Sequence, residues 1–302
     1  AFKDMALQLL PQLLSVALQK IGEKRKILIL TATSGDTGKA ALAGFSDVPQ
    51  TKIMVFYPAG GVSQIQRLQM TTQTGGNVAV VAVEGNFDDA QRGVKTIFND
   101  AALNSELAAA KVKLSSANSI NWGRLAPQIV YYFSAYADLL NMGKIKNGDA
   151  VNFTVPTGNF GNILAGFYAR QMGLPVGRLV CASNRNNVLT DFLLTGYYDR
   201  HRDFFKTITP SMDILISSNL ERLLYHLTGD AAAVRHWMAE LADEGRYDCG
   251  VNMLQRLQNL FWADWTDDET GNQRGVWRLS LRHGSPYGSG LGGGAGLSAA
   301  DR

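Results

Sequence analysis

The chain has 302 residues, 46% of them hydrophobic and 18% charged, with a formal net charge of +3. That length favours about two domains with a core large enough to be stable, and the composition is that of a globular α/β protein. No basic run or aromatic-basic stripe points to nucleic acid, and the longest apolar stretches are strand-sized, so neither nucleic acid nor membrane is an expected partner.

Met5, Leu9, Leu10, Leu13, Leu14, Leu18 and Ile21 recur at helical spacing and predict one amphipathic helix, bent at Pro11. An alternation follows: strand 26–31, helix 37–45, strand 52–57, helix 63–71, strand 78–83, helix 87–98. A long helix is expected over 122–140. It leads to a second series, with strands near 151–155 and 178–182 and helices near 162–172 and 219–227. Strands and helices alternating in this way imply parallel sheets covered on both faces. Beyond Trp265 no apolar period remains, and the glycine-rich stretch 288–296 reads as low-complexity chain that does not pack.

Two segments share one plan, an apolar strand, a polar glycine loop and a helix. The first is Lys26-Ile27-Leu28-Ile29-Leu30 followed by Thr33-Ser34-Gly35-Asp36-Thr37-Gly38. The second is Val151-Asn152-Phe153-Thr154-Val155-Pro156 followed by Thr157-Gly158-Asn159-Phe160-Gly161-Asn162. A glycine turn entering a helix presents free N–H groups and the positive end of the helix dipole to an anion. The first loop is no P-loop, because Thr33 stands where the first glycine is required and Ala40 where a hydroxyl should follow Lys39. It reads as a carboxylate site, or as a capping turn using Ser34, Asp36 and Thr37. The second loop lacks dinucleotide spacing and reads as a phosphate cup, or as a tight strand-to-helix turn.

Lys3 is the residue on which the functional reading hinges. A lysine can bond the aldehyde of pyridoxal phosphate, although one at a helix start is ordinarily solvated. Asp4 beside it suits a helix beginning and is assigned no chemistry. Asn118-Ser119-Ile120-Asn121-Trp122-Gly123-Arg124 gathers short polar groups and an arginine suited to phosphate, or caps a helix. His201, His226, His236 and His283 have no metal-ligand spacing, so no metal is expected. Cys181 and Cys249 fit reduced cytoplasmic thiols.

Together, Phe2-Lys3-Asp4, Ser34-Gly35-Asp36-Thr37-Gly38, Asn118-Ser119-Ile120-Asn121-Trp122, Pro156-Thr157-Gly158-Asn159-Phe160-Gly161-Asn162 and Pro210-Ser211-Met212-Asp213-Ile214 resemble the threonine synthase family. The ordered set runs from Ala1 to about Trp265. The resemblance implies an α/β fold of pyridoxal-phosphate fold type II: two parallel-sheet αβα domains, 3–121 and 122–265, with the cofactor cleft between them. It implies pyridoxal phosphate carried on Lys3, with its phosphate held by Gly158, Asn159, Phe160, Gly161 and Asn162. Ser34, Gly35, Asp36 and Thr37 would take the substrate carboxylate; Asn118, Ser119, Asn121 and Arg124 are candidates for the substrate phosphate. The implied reaction converts O-phospho-L-homoserine and water to L-threonine and phosphate in the cytoplasm, with no obligate protein partner evident. The rival readings are a serine or threonine dehydratase, which needs no second phosphate site, and a catalytically silent binding remnant.

The sequence also departs from the family, whose members carry a domain before the lysine motif and a later Asp-Pro-His-Thr-Ala-Val segment. Residues 284–292 can be encoded so that the next reading frame gives Asp-Pro-His-Thr-Ala-Val-Ala-Trp. A frameshift near Thr270 is therefore expected, with 271–302 an aberrant, disordered tail. Lys3, two residues from the first, is expected to be poorly anchored, leaving weak cofactor binding and little turnover.

Overall fold

A computed structural model describes residues 2–33 and 35–265. The expected first helix is α1 (Phe2–Lys20), which carries Pro11 inside it. The alternation follows as β1 (Lys26–Ala32), α2 (Asp36–Phe45), β2 (Thr51–Pro58), α3 (Gln64–Thr71), β3 (Val78–Val83) and α4 (Phe87–Asn99). Two elements then appear that the periodicity does not announce, α5 (Ala101–Ala109) and β4 (Val112–Ser116). The sequence of α5 has no apolar stripe, and none of its residues is buried.

These strands form a parallel sheet in the order β3-β2-β1-β4. The chain steps outward from β1 through β2 to β3, then returns to the other side of β1. The carboxyl ends of β1 and β4 therefore flank a reversal of strand order, the place where open α/β sheets bind ligands. The loops after β1 and β4 carry Gly35–Thr37 and Asn118–Asn121.

The expected long helix over 122–140 is interrupted. It becomes α6 (Trp122–Leu125), a 3-10 turn (Ala126–Gln128) and α7 (Ile129–Asn141). Pro127 has no N–H to give an α-helical ladder, and the chain tightens at that residue.

The second half begins with β5 (Val151–Pro156), α8 (Gly161–Gln171), β6 (Val176–Ser183), α9 (Val188–Thr195) and β7 (Tyr197–Asp199). A 3-10 turn (Pro210–Met212) precedes α10 (Leu220–Thr228), α11 (Ala231–Asp243), β8 (Arg246–Asp248), α12 (Gly250–Leu260) and β9 (Phe261–Trp265). β5, β6 and β9 make a second parallel sheet in that order, and β7 pairs with β8 antiparallel.

Both sheets belong to one compact unit. Leu7 and Leu10 of α1 pack with Ile29, Leu42, Phe45 and Ile53 in the core on one face of the first sheet. Leu30, Ala32, Ala90 and Val94 fill the other face. A larger core surrounds α8 and includes Ile163, Leu164, Leu179, Phe192 and Leu257. The tail expected over 271–302 lies outside the described residues, as does Ser34.

Candidate active site

Lys3 sits in the first turn of α1, and packing holds that helix in place. At Gly44 of α2 a Cβ would fall against the Leu7 carbonyl oxygen, so the two helices approach as closely as a glycine allows. The Lys3 side chain is only 11% exposed. Its Nζ donates to Ser211 Oγ at 3.1 Å and lies 3.7 Å from Asp36 Oδ2. The anchoring at Lys3 therefore differs from the loose end expected of residue 3. Burial draws the Lys3 amine down to about 8; the Asp36 carboxylate opposes that fall and the Arg124 charge adds to it. Asp4 faces α2, accepting from Lys39 Nζ at 3.0 Å.

Asp36 begins α2 and is held from two sides. Ser211 Oγ donates to its Oδ2 at 2.7 Å, and Gln66 Nε2 donates to its Oδ1 at 2.7 Å. Gln66 is itself fixed, because it shares a capping box with Ser63 at the start of α3. Partial burial pushes the Asp36 carboxyl upward, but the Ser211 hydrogen bond, the Lys3 charge and Gln66 hold it below the usual range.

For Asp36 and Thr37, the alternative reading of this loop as a capping turn is not what the structure shows. The helix is capped at Gly35 without a side-chain bond, and Thr33 Oγ1 accepts from the backbone of both Gly35 and Gly38 at 2.9 Å. Thr37 Oγ1 instead accepts from Arg124 at 3.4 Å. Arg124 is buried, and its other terminal nitrogen donates to the Ala117 carbonyl at 3.0 Å. Desolvation lowers its pKa to about 10, and among the described residues no carboxylate pairs with it. A buried guanidinium without a counter-ion is a strong invitation to an anion. Asn121 is less available, since its amide spans Ser116 O at 2.9 Å and Gly123 N at 2.9 Å. The backbone of Asn118 is tied to Ser116 Oγ and Asn121 N.

The second loop follows β5 and enters α8 through Phe160, which adopts a left-handed φ of 60°. That conformation costs about 1–3 kcal/mol, and a left-handed residue beside right-handed ones is a way in which successive N–H groups form an anion-binding nest. Among the described residues, none accepts a hydrogen bond from the backbone N–H groups of Gly158, Asn159, Phe160, Gly161 and Asn162. Asn162 Oδ1 and its carbonyl both accept from Tyr132 Oη at 2.8 Å.

Residues 217–219 join this loop to the one after β4. Ser217 Oγ donates to Gly158 O at 2.9 Å, and Ser218 Oγ lies 3.2 Å from both Asn159 Oδ1 and Ser119 Oγ. Asn219 Nδ2 donates to Ser119 O at 3.2 Å and to Asn159 O at 3.0 Å. The described candidates thus converge: Lys3 meets Asp36, Thr37 meets Arg124, and Ser119 meets Asn159 through Ser218. Sequence reasoning assigned no role to Gln66, Ser211, Ser218 or Asn219. Only Ser211 carried a signal, as part of Pro210-Ser211-Met212-Asp213-Ile214.

The family profile described as "Pyridoxal-phosphate dependent enzyme" matches residues 1–251. The chain belongs to the pyridoxal-phosphate dependent enzyme family. Within that family it is 47% identical over 270 residues to threonine synthase of Pseudomonas aeruginosa, covering 89% of this chain and 55% of that protein. It is 44% identical over 276 residues to "Threonine synthase-like 1" of Homo sapiens, covering 89% of this chain and 37% of that one. The crystal structure of pyridoxal-phosphate-bound threonine synthase from Brucella melitensis superposes with a TM-score of 0.80 at 44% identity, covering 88% of this chain and 55% of that chain. The chain therefore spans roughly half the length of these synthases, and its paired parallel sheets are those of fold type II. Its residues also fit the family's cofactor: a desolvated lysine amine and a glycine cup whose N–H groups are unengaged among the described residues are the two anchors an aldehyde phosphate requires. Among the described residues no helix is long and apolar enough to cross a membrane, and no cluster of three or more His, Cys, Asp or Glu is placed to hold a metal ion.

Proposed function

We propose that this chain carries the pyridoxal-phosphate site of a threonine synthase, which converts O-phospho-L-homoserine and water to L-threonine and phosphate. The observation that carries the reading is the buried Lys3 amine, set in one compact unit with a glycine cup whose N–H groups find no acceptor, and an Arg124 whose charge finds no carboxylate, among the described residues. Similarity to threonine synthases over most of the chain supports it. The same reading divides the chain into a lysine-bearing domain, 3–121, and a phosphate-cup domain, 122–265, acting in the cytoplasm, where the two free buried thiols of Cys181 and Cys249 stay reduced.

Each group has a distinct task. The backbone N–H groups of Gly158–Asn162 and the N-terminus of α8 hold the cofactor phosphate. When bound, pyridoxal phosphate supplies an electron sink for negative charge at the substrate Cα. The Lys3 amine would hold the cofactor aldehyde; when free, it would take the proton from the substrate Cα, give that proton back, and only then take one from Cβ. An amine near pKa 8 exists in both protonation states close to neutrality, which suits a group that must accept and return protons. The backbone of Asp36 and Thr37 at the start of α2, with Ser34 and Gly35 before it, receives the substrate carboxylate. Arg124 and the Ser119 hydroxyl face the leaving phosphate, where a forked guanidinium matches the oxygens; Asn118 and Asn121 shape the loop.

The decisive experiment adds pyridoxal phosphate to the purified chain and to Lys3→Ala. An absorbance band in the visible or near-ultraviolet that needs Lys3, shifts with phosphohomoserine and accompanies phosphate release is the expected result. The threonine synthase reading fails if the band is independent of Lys3. It also fails if threonine or serine shifts the band and releases ammonia while phosphohomoserine does nothing, the behaviour of a dehydratase.

A further inference from the structure

The contact between Ser211, Asp36 and Lys3 has no part in the tasks above. Ser211 lies in the 3-10 turn Pro210–Met212, far along the chain from both partners, yet its hydroxyl accepts from Lys3 Nζ at 3.1 Å and donates to Asp36 Oδ2 at 2.7 Å. A hydroxyl has one proton to give and lone pairs to receive, so this geometry uses it in both directions. Asp36 is in turn fixed by Gln66 at 2.7 Å, and Gln66 by its capping box on α3.

The turn that presents Ser211 is also anchored. Asp213 Oδ1 accepts from Asn184 Nδ2 at 2.7 Å, from Asn186 Nδ2 at 3.0 Å and from Thr207 Oγ1 at 2.7 Å. Asn184 and Asn186 are buried just beyond the carboxyl end of β6. A network with this many satisfied members is rigid and costly to distort. The chain therefore fixes two neighbours of the Lys3 amine from separate elements, Asp36 through α3 and Ser211 through the end of β6.

We propose that Ser211 and Asp36 are the positioning pair of Lys3: Ser211 bridges the amine to the Asp36 carboxylate and holds it at one place in the cleft as an ammonium until a carbonyl compound competes for it. This rests on reading Lys3 as the cofactor lysine. The charged and titratable groups around the amine support it. Asp36 favours the ammonium, Arg124 of α6 opposes it, Asp4 is engaged by Lys39, and Tyr131 of α7 lies near Arg124 and Asp4. Among the described residues, Asp36 is the carboxylate whose charge acts on Lys3, and Ser211 bridges the two.

The test needs no cofactor. Competitive acetylation of the full chain, read by mass spectrometry on Lys3 across pH, reports where the amine becomes free. The expected midpoint is near 8 in the parent. Asp36→Asn, which keeps the shape and removes the charge, should lower it by about one unit or more. Ser211→Ala should lower it by less, Ser211→Thr should restore it, and the double variant Ser211→Ala/Asp36→Asn should match Asp36→Asn alone. A midpoint unmoved by Asp36→Asn, or a Ser211→Ala shift that adds in full to that of Asp36→Asn, overturns the pair. Circular dichroism of each variant identifies any that fail to fold, and Ser211→Ala then decides alone by its shift. The pyridoxal phosphate band is recorded separately. If the midpoints shift as expected but the band is missing, the reading of Lys3 as cofactor lysine falls and the pairing stands.

Discussion

At the scale of single residues, the site is built from groups whose ordinary solvation has been removed. Lys3 and Arg124 are both depressed by burial, yet they differ in use. Lys3 has Asp36 beside it, whereas Arg124 has only a carbonyl, a hydroxyl and, among the described residues, no carboxylate. An anion bound at Arg124 removes the cost of that lone buried charge, and a lysine, as a point charge on a flexible stem, cannot reproduce the fork. Arg124→Lys is therefore expected to raise KM for phosphohomoserine about tenfold or more, in line with the ~1.5–3 kcal/mol of a charged hydrogen bond. The pyridoxal phosphate band should be unchanged. Steady-state kinetics beside an absorbance titration check this, and an unaltered KM with a lowered melting temperature would make Arg124 a structural residue. Lys3 and Arg124 are both visible as candidates in the sequence. Ser211 is visible only as a member of a motif, because its partner Lys3 lies 208 residues away.

At the scale of elements, α1 is the support for Lys3, and its seat on α2 depends on Gly44. A methyl at that position would meet the Leu7 carbonyl, which the backbone cannot move without shifting the helix. Gly44→Ala should cost about 1–3 kcal/mol by overpacking and should also raise the acetylation of Lys3 as α1 lifts. Gly93→Ala is the control: it lies in α4, nothing stands within 4 Å of its Cβ, and the change should stabilise by about 0.5–1 kcal/mol. Denaturant midpoints of the two variants, moving in opposite directions, are the measurement. α1 to α4 with β1 to β3, and β5, α8, β6 and α10 after them, are legible from period alone because amphipathic spacing is a local property. α9, α11, α12, β7, β8 and β9 are not announced by it. The interruption of 122–140 at Pro127 is local too, though a single apolar stripe running across it hides the break. α5 and β4 are harder to find because one has no apolar face and the other, Val112-Lys113-Leu114-Ser115-Ser116, is short and half polar.

At the scale of the whole molecule, Asn219 joins the loops of the two sheets. It is fully buried, and its amide nitrogen serves the carbonyls of Ser119, after β4, and Asn159, after β5. Asn219→Ala leaves both partly buried carbonyls without that donor, at about 1–3 kcal/mol. It should lower the melting temperature and weaken pyridoxal phosphate binding together; a loss of stability with unchanged cofactor affinity would show that the loops hold their places independently. By itself, the sequence determined the class of each sheet, the two glycine loops at strand ends and the family, because these depend on period, turn chemistry and ordered motifs. It could not determine which groups face one another. The order β3-β2-β1-β4 puts the loop after β4 beside the loop after β1, and the folding of the second half brings Ser211, Ser218 and Asn219 onto residues far away in the chain. Those meetings are decided only in tertiary structure, because a hydrogen bond depends on distance in space and leaves no period in the chain.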